Sequence, residues 1–205
     1  AVYRIHHLGG RLDLREIPSA VGGDQEKRHG IILAKSIPAK RYKVRTGEPV
    51  ADAKRKCPGL VLVPPNYELY NRSSRALLRI LSEYTDQIEQ FSIDEAFMDM
   101  TGCTEDPAGT AEKLREQVER ELGFTVNIGV SSSRLLAKMA SDFKKPNRVH
   151  TLWPGEIGEK MWELPVRDLF YVGHASERKL KNLGICTIGQ LARTPDAVLY
   201  AHMKS

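Results

Sequence analysis

The chain has 205 residues, 41% hydrophobic and 28% charged, the balance of an ordinary globular protein with room for one sizeable core or for one domain and a smaller second one. It contains no apolar run of about 18 residues, which excludes a transmembrane helix, and its opening AVYRIHHLGG has no apolar signal-peptide core. The net charge of +5 fits a polyanionic partner without requiring one.

Residues 1–19 form an atypical N-terminal segment, in which VYRI reads as a strand and GGRLDLREIPS as loop. His6 and His7 are adjacent with no other ligand nearby, which argues against a metal site there. GIILAKS, residues 30–36, reads as a buried strand. PVADAKRKC reads as a short helix starting at Pro49 and stopped by Pro58-Gly59. LVLVPP is a strand ended by two prolines. Residues 66–84 read as a long helix, with Leu69, Ala76, Leu77, Ile80, Leu81 and Tyr84 on one stripe and Arg72 as a polar intruder.

QIEQFSIDEAFMDMT alternates as a hairpin does. TAEKLREQVERELG is an amphipathic helix with Thr110 as a candidate N-cap and Gly123 as its stop. FTVNIGV alternates as a strand, with Phe124, Val126, Ile128 and Val130 on one face. Ser131–Ser133 caps a helix running to Phe143, with Leu136, Met139, Ala140 and Phe143 on its apolar side, and Lys145-Pro146-Asn147 ends it. Strand 97–101, helix 110–122 and strand 124–130 together predict an α/β sandwich with helices on a sheet. Composition shifts near residue 153 toward short helices and glycine turns, which places a boundary at about 152–165 before a small helical module. The cysteines Cys57, Cys103 and Cys186 are far apart and odd in number, which predicts free thiols in a reducing cytoplasm.

Three stretches carry candidate chemistry. In Ser92-Ile93-Asp94-Glu95-Ala96-Phe97 two adjacent carboxylates fall where a strand pair should turn, and at a hairpin tip both can reach one hard cation. The alternative is a pair of solvated turn residues, with Asp99 on a solvent face. In GVSSSRLLAKMASDFKKPN a helix N-terminus with Arg134 and Lys138 one turn apart suits a phosphate. The alternative is a capped helix in which Lys138 pairs with Asp142. In YVGHASERKL, followed by LGI and TIGQL, two helices meet at a glycine turn whose backbone N–H groups can hold a DNA phosphate without reading sequence. Many helical hairpins use the same turn for structure alone.

In order and spacing, ILAKSIPAKRYKVRTGEPV, PPNYELYNRSSRALLRIL, FSIDEAFMDMTG, NIGVSSSRLLAKMASDFKKPN and VGHASERKLKNLGICTIGQLA resemble the Y-family, DinB/UmuC-type, translesion DNA polymerases over about residues 20–195. The resemblance implies an α/β (α+β) fold: a palm with mixed sheet and helices, a small fingers domain, and a helical thumb with a helix-hairpin-helix-like module. The corresponding regions are 20–65 for fingers, 66–152 for palm and 153–205 for thumb. It implies two magnesium ions, with Asp94 as a metal-binding aspartate and Glu95 as the adjacent catalytic acid. Lys138 resembles the lysine that holds the incoming dNTP. Arg134 and Lys40 are further substrate-binding candidates, and Gly173, Ser176 and Lys179 resemble the DNA-binding hairpin of the thumb.

The implied partners are a primer–template, damaged DNA and a dNTP, with a sliding clamp contacted through a C-terminal region beyond Ser205, and no membrane. The implied reaction is two-metal nucleotidyl transfer in the cytoplasm, at the nucleoid. Several positions depart from the family pattern. The HVDxNxFF-like opening has no counterpart in residues 1–19, where Asp13 in RLDLRE is the nearest carboxylate. Ile37 stands in place of a phosphate-contacting tyrosine, and GHA replaces a glycine–hydrophobic–glycine hairpin. The expectation is a polymerase core truncated at both ends. The alternatives are a catalytically impaired DNA-binding remnant of the same fold, or another palm-type nucleotide enzyme, against which the glycine hairpin argues.

Overall fold

The computed structural model describes residues 13–23 and 30–203. The VYRI strand and the His6-His7 pair lie outside the described residues. The chain divides into two compact units, Ala1–Leu77 and Leu78–Ser205.

The first unit is built on a three-stranded sheet of order β2-β1-β3, comprising β1 (Ser19–Gly22), β2 (Ile32–Lys35) and β3 (Val61–Val63). β1 runs antiparallel to β2 and parallel to β3. Side chains alternate across a strand, so β1 divides its apolar residues between two clusters. Ala20 joins Ile32, Ala39, Val44, Val50, Ala53, Cys57 and Leu60, whereas Val21 joins Leu14 and Val63. Two short helices, α1 (Ile37–Arg41) and α2 (Val50–Lys56), line the first cluster. The buried Ser36 hydroxyl caps α1 by accepting from the Ala39 N–H, and it donates to the Ile17 carbonyl. Pro49 is the N-cap of α2 rather than its first residue. Its extended backbone (ψ 140°) sets the entry into the helix and takes no part in it. β1 was not legible in the sequence, because SAVG follows Pro18, runs into the Gly22-Gly23 pair, and becomes a strand by pairing with β2 on one side and β3 on the other.

α3 (Tyr67–Leu81) follows, and the division between the units falls within it. In the second unit, β4 (Ile88–Gln90) and β5 (Ala96–Met98) pair antiparallel in the expected hairpin, with Glu89 opposite Phe97. α4 (Pro107–Leu122) begins three residues earlier than expected. Asp106, not Thr110, is its N-cap, accepting from the Gly109 N–H at 2.9 Å, and Pro107 occupies the first turn. Thr110 lies inside the helix, its hydroxyl 2.9 Å from that of Thr104. Gly123 ends α4 at φ 69°, the left-handed conformation expected of a helix stop.

β6 (Ile128–Val130) is shorter than the alternation of FTVNIGV predicts. Its partner β7 (Val149–Thr151) covers only those three residues, so 124–127 have no ladder to join. β6 and β7 run parallel with α5 (Arg134–Asp142) as the crossover, a βαβ unit. α4 and α5 both pack on this pair of strands. The expected single sheet is thus two two-stranded ladders among the described residues, because β5 and β6 do not hydrogen-bond to each other.

The core beneath α5 gathers Met139, Ala140 and Leu152 with Met161 and Ile188. The last segment contains α6 (Ile157–Lys160), whose Ile157 packs on that same core, and α7 (His174–Asn182), α8 (Ile188–Ala192) and α9 (Asp196–Met203), which supply residues around Val166, Leu180 and Ile185. The mixed α/β class is the one expected. No helix among the described residues is long and apolar enough to cross a membrane. All three cysteines are free thiols, Cys57 buried and the other two exposed.

Candidate active site

The β4–β5 turn presents Asp94 and Glu95 at the rim of the second unit. The turn closes because the Phe91 and Ser92 N–H groups both donate to the Glu95 carbonyl. The Ser92 hydroxyl donates to Asp94 Oδ1 at 2.7 Å, fixing that carboxylate beside the turn. Asp94 is exposed and Glu95 half-buried.

Lys138 comes to this turn from α5. Its Nζ donates to Glu95 Oε1 at 2.6 Å and lies 3.3 Å from Asp142 Oδ2. The expected pairing of Lys138 with Asp142 is present, and the same ammonium also reaches the carboxylate turn. Burial works to lower the Lys138 ammonium, but the hydrogen bond to Glu95 and the charges of Asp142 and Glu95 outweigh it and hold its pKa above the ordinary lysine value. Burial likewise works to raise Asp142, and the hydrogen bond from Lys145 with the charge of Lys138 outweighs it and keeps that carboxyl low.

What aims Lys138 is the close seating of α5 on β6. A Cβ on Gly129 would come 1.8 Å from the Ala137 carbonyl oxygen and 2.6 Å from the Ser141 nitrogen. The helix lies so near the strand that no side chain fits between them. Ser133 caps the start of α5 through its hydroxyl, accepting from Leu136 N–H. Past its end, Asn147 is clamped to α4: Arg115 donates to its Oδ1 at 2.9 Å, and its amide donates to Glu119 at 2.9 Å.

Arg134 also faces the hairpin, with its guanidinium 2.6 Å from Glu89 and 4.8 Å above the Phe97 ring. Phe91 and Phe97, which flank the turn, meet edge to face at 5.8 Å. Phe91 also meets Phe170 at 5.8 Å, and the Phe170 N–H contacts the Met139 sulfur at 3.3 Å. Sequence reasoning missed this aromatic group. Its signal was the placement of one phenylalanine on each side of the SIDEA turn.

Gly173 is the N-cap of α7 and is exposed, as is Lys179, while Ser176 is half-buried. Glu177 in the first turn is held by Lys181 at 2.8 Å. The left-handed residue is Tyr171 (φ 72°), whereas Gly173 is extended (φ −84°) and His174 starts an ordinary helix.

In the first unit, Lys40 lies exposed on α1, and Ile37 is 75% exposed at its start. Asp13 is ion-paired with Arg15 two residues away. Asp99 is exposed, and hydrogen bonding with the Thr101 side chain and N–H holds its carboxyl below the ordinary value. Among the described residues no group of three or more His, Cys, Asp or Glu is arranged to hold a metal.

Residues 6–142 match the impB/mucB/samB family and residues 154–185 match the IMS family HHH motif. The chain therefore belongs to the impB/mucB/samB family. Within it, the likeness is to DinB-type Y-family polymerases. DNA polymerase IV of Clostridium acetobutylicum is 46% identical over 199 residues, covering 96% of this chain and 50% of that protein. DNA polymerase IV 1 of Bacillus subtilis is 43% identical over 181 residues, covering 87% and 44%. The crystal structure of DinB from Sulfolobus solfataricus superposes with a TM-score of 0.80 at 25% identity, covering 92% of this chain and 56% of that one. The insertion ternary complex of Dbh DNA polymerase superposes at 0.79, also at 25% identity, covering 91% and 56%. The chain spans about half the length of the curated relatives it matches.

Proposed function

We propose that the chain is the core of a template-directed, translesion-type DNA polymerase that adds dNTPs to a primer opposite damaged or intact template. The observation that carries this is the contact of Lys138 on α5 with Glu95 in the turn that also carries Asp94, a lysine and a carboxylate turn brought together from different elements. In this reading residues 20–65 serve as fingers, 66–152 as palm and 153–205 as thumb.

The donors at the turn fit a hard cation. They are carboxylate oxygens, and magnesium takes one or two of these together with water and substrate phosphates. Asp94 and Glu95 would hold it. Bound there, magnesium would neutralise charge on the triphosphate and on the attacking and leaving oxygens. Lys138, positively charged at neutral pH, exchanges its hydrogen bond to Glu95 for one to a triphosphate oxygen when the nucleotide arrives. Arg134 is assigned to the same substrate, supplying fixed positive charge. Catalysis is then largely positioning and charge neutralisation. Gly173, Ser176 and Lys179 at the start of α7 hold the DNA backbone, so binding is independent of sequence.

The test is primer extension by the full-length protein with magnesium, together with a salt titration on two unrelated duplexes. Template-directed extension, with similar affinities for both duplexes that fall steeply with salt, is expected. Strong preference for one duplex, or affinity indifferent to salt, would overturn the DNA-binding mode. Extension unaffected by Asp94→Ala would overturn the site.

A further inference from the structure

We propose that Tyr171 and Phe170 form a shelf that stacks an unpaired nucleobase beside the carboxylate turn, so that a frayed or mispaired primer end is held in place. This inference rests on the polymerase reading and assigns a site within it.

Four observations converge. First, Tyr171 has φ 72°, a conformation that costs a bulky residue energy and that glycine adopts freely. Second, its ring is 77% exposed, so packing in the core does not offset that cost. Strain kept at an exposed residue points to a use outside the fold. Third, the Tyr171 ring lies 4.0 Å from that of Phe170, tilted by 41°. The two rings, with Phe97, Leu135 and Arg134, line an open cavity of about 300 Å³. Fourth, two basic side chains border the cavity, each ion-paired to carboxylates that a phosphate would displace: Arg134 lies over Phe97 and pairs with Glu89, and Lys138 Nζ stands 5.8 Å from the Phe170 ring centre and pairs with Glu95. Lys138 is the residue that reaches Glu95, so the shelf adjoins the candidate reaction site.

An apolar, aromatic floor with cations at its side suits a base carrying a phosphate, because base–aromatic stacking tolerates any base. Within a duplex both faces of each base are covered, and at the end of a primer the paired terminal base is still held by its partner and by the stack beneath it. The base that can enter is therefore one already out of its pair. At the primer end that is a mispaired or frayed terminal nucleotide.

The experiment compares binding of the full-length protein to a primer–template with a matched 3′ end, a mismatched 3′ end and an abasic 3′ end. Tyr171→Gly is the informative variant, since glycine relieves the backbone and the protein should unfold at the same temperature or higher. We expect it to weaken binding of the mismatched end by about tenfold, with matched and abasic ends changed by less than about twofold. Tyr171→Phe keeps the ring and should bind as wild type. Fluorescence of 2-aminopurine at the mismatched terminus should be quenched by wild type and by Tyr171→Phe, and not by Tyr171→Gly. Equal effects on all three substrates, or no effect on any, would overturn the inference while leaving the polymerase reading intact. Failure of the wild-type protein to bind any primer–template would overturn both.

Discussion

The ammonium of Lys138 lies 2.6 Å from Oε1 of Glu95, a residue 43 positions earlier in the chain. The Lys138 side chain is only 13% exposed and that of Glu95 37%, so the pair is shielded more than an ordinary surface salt bridge. One cation thus ties the hairpin turn to the helix seated on β6. Charge at the candidate site is balanced before any substrate arrives.

Removing that cation should cost far more in activity than in stability. Lys138→Ala is expected to lower single-nucleotide incorporation by about 100-fold, the scale of losing one fixed charge at a reaction centre. Its effect on the unfolding free energy should be about 1 kcal/mol. Rapid-quench incorporation and urea denaturation on the same preparation check both. Loss of stability without loss of activity would reduce Lys138 to a structural role.

Asp94 offers a cleaner separation, because it is exposed and its Oδ1 hydrogen bond is to Ser92, two residues away. Asp94→Asn keeps the shape and removes the charge. Primer extension should fall below detection, and unfolding should stay within about 0.5 kcal/mol of wild type. Magnesium titration followed by extension rate is the measurement, with thermal unfolding as the control.

Asp142 and Lys138 set opposite pH limits. The folded Asp142 carboxyl is held below its ordinary value, so its contribution is present above the unfolded pKa of about 4 and disappears as pH falls through the lower folded value. The Lys138 ammonium is raised, so its contribution is fully present below the unfolded value of about 10.4 and disappears as pH rises through the folded value. Urea denaturation across pH should show both limbs, and Asp142→Asn should flatten the acid one. An acid limb unchanged in that variant would assign it to other carboxylates.

Gly129 should tolerate no side chain. In Gly129→Ala the new Cβ meets backbone of α5 rather than a flexible tip, so the helix must move and carry Lys138 with it. A loss of about 3 kcal/mol is expected, at the upper end of overpacking costs, together with loss of incorporation. Gly173→Ala makes the contrast, since nothing lies within 4 Å of a Cβ there, and it should leave stability nearly unchanged.

The sequence by itself determined most of the local structure. The alternation across QIEQFSIDEAFMDMT specified the β4–β5 hairpin, and with it the turn that carries Asp94 and Glu95. The serine before α5 and the glycine after α4 specified those helix ends, because caps act within one turn of chain. The motif order also carried the family, which the matches over residues 6–142 and 154–185 show.

Other features depend on contacts that no local pattern encodes. Strand length in β6 was decided by how far β7 runs beside it. The reach of Lys138 to Glu95 as well as to Asp142, and the gathering of Phe91, Phe97, Phe170 and Tyr171 from two distant segments, were decided only by tertiary packing. Local sequence fixes dihedral preferences and caps within a few residues, whereas partners 43 positions apart in one case meet only when α5 is pressed onto β6 with Gly129 between them.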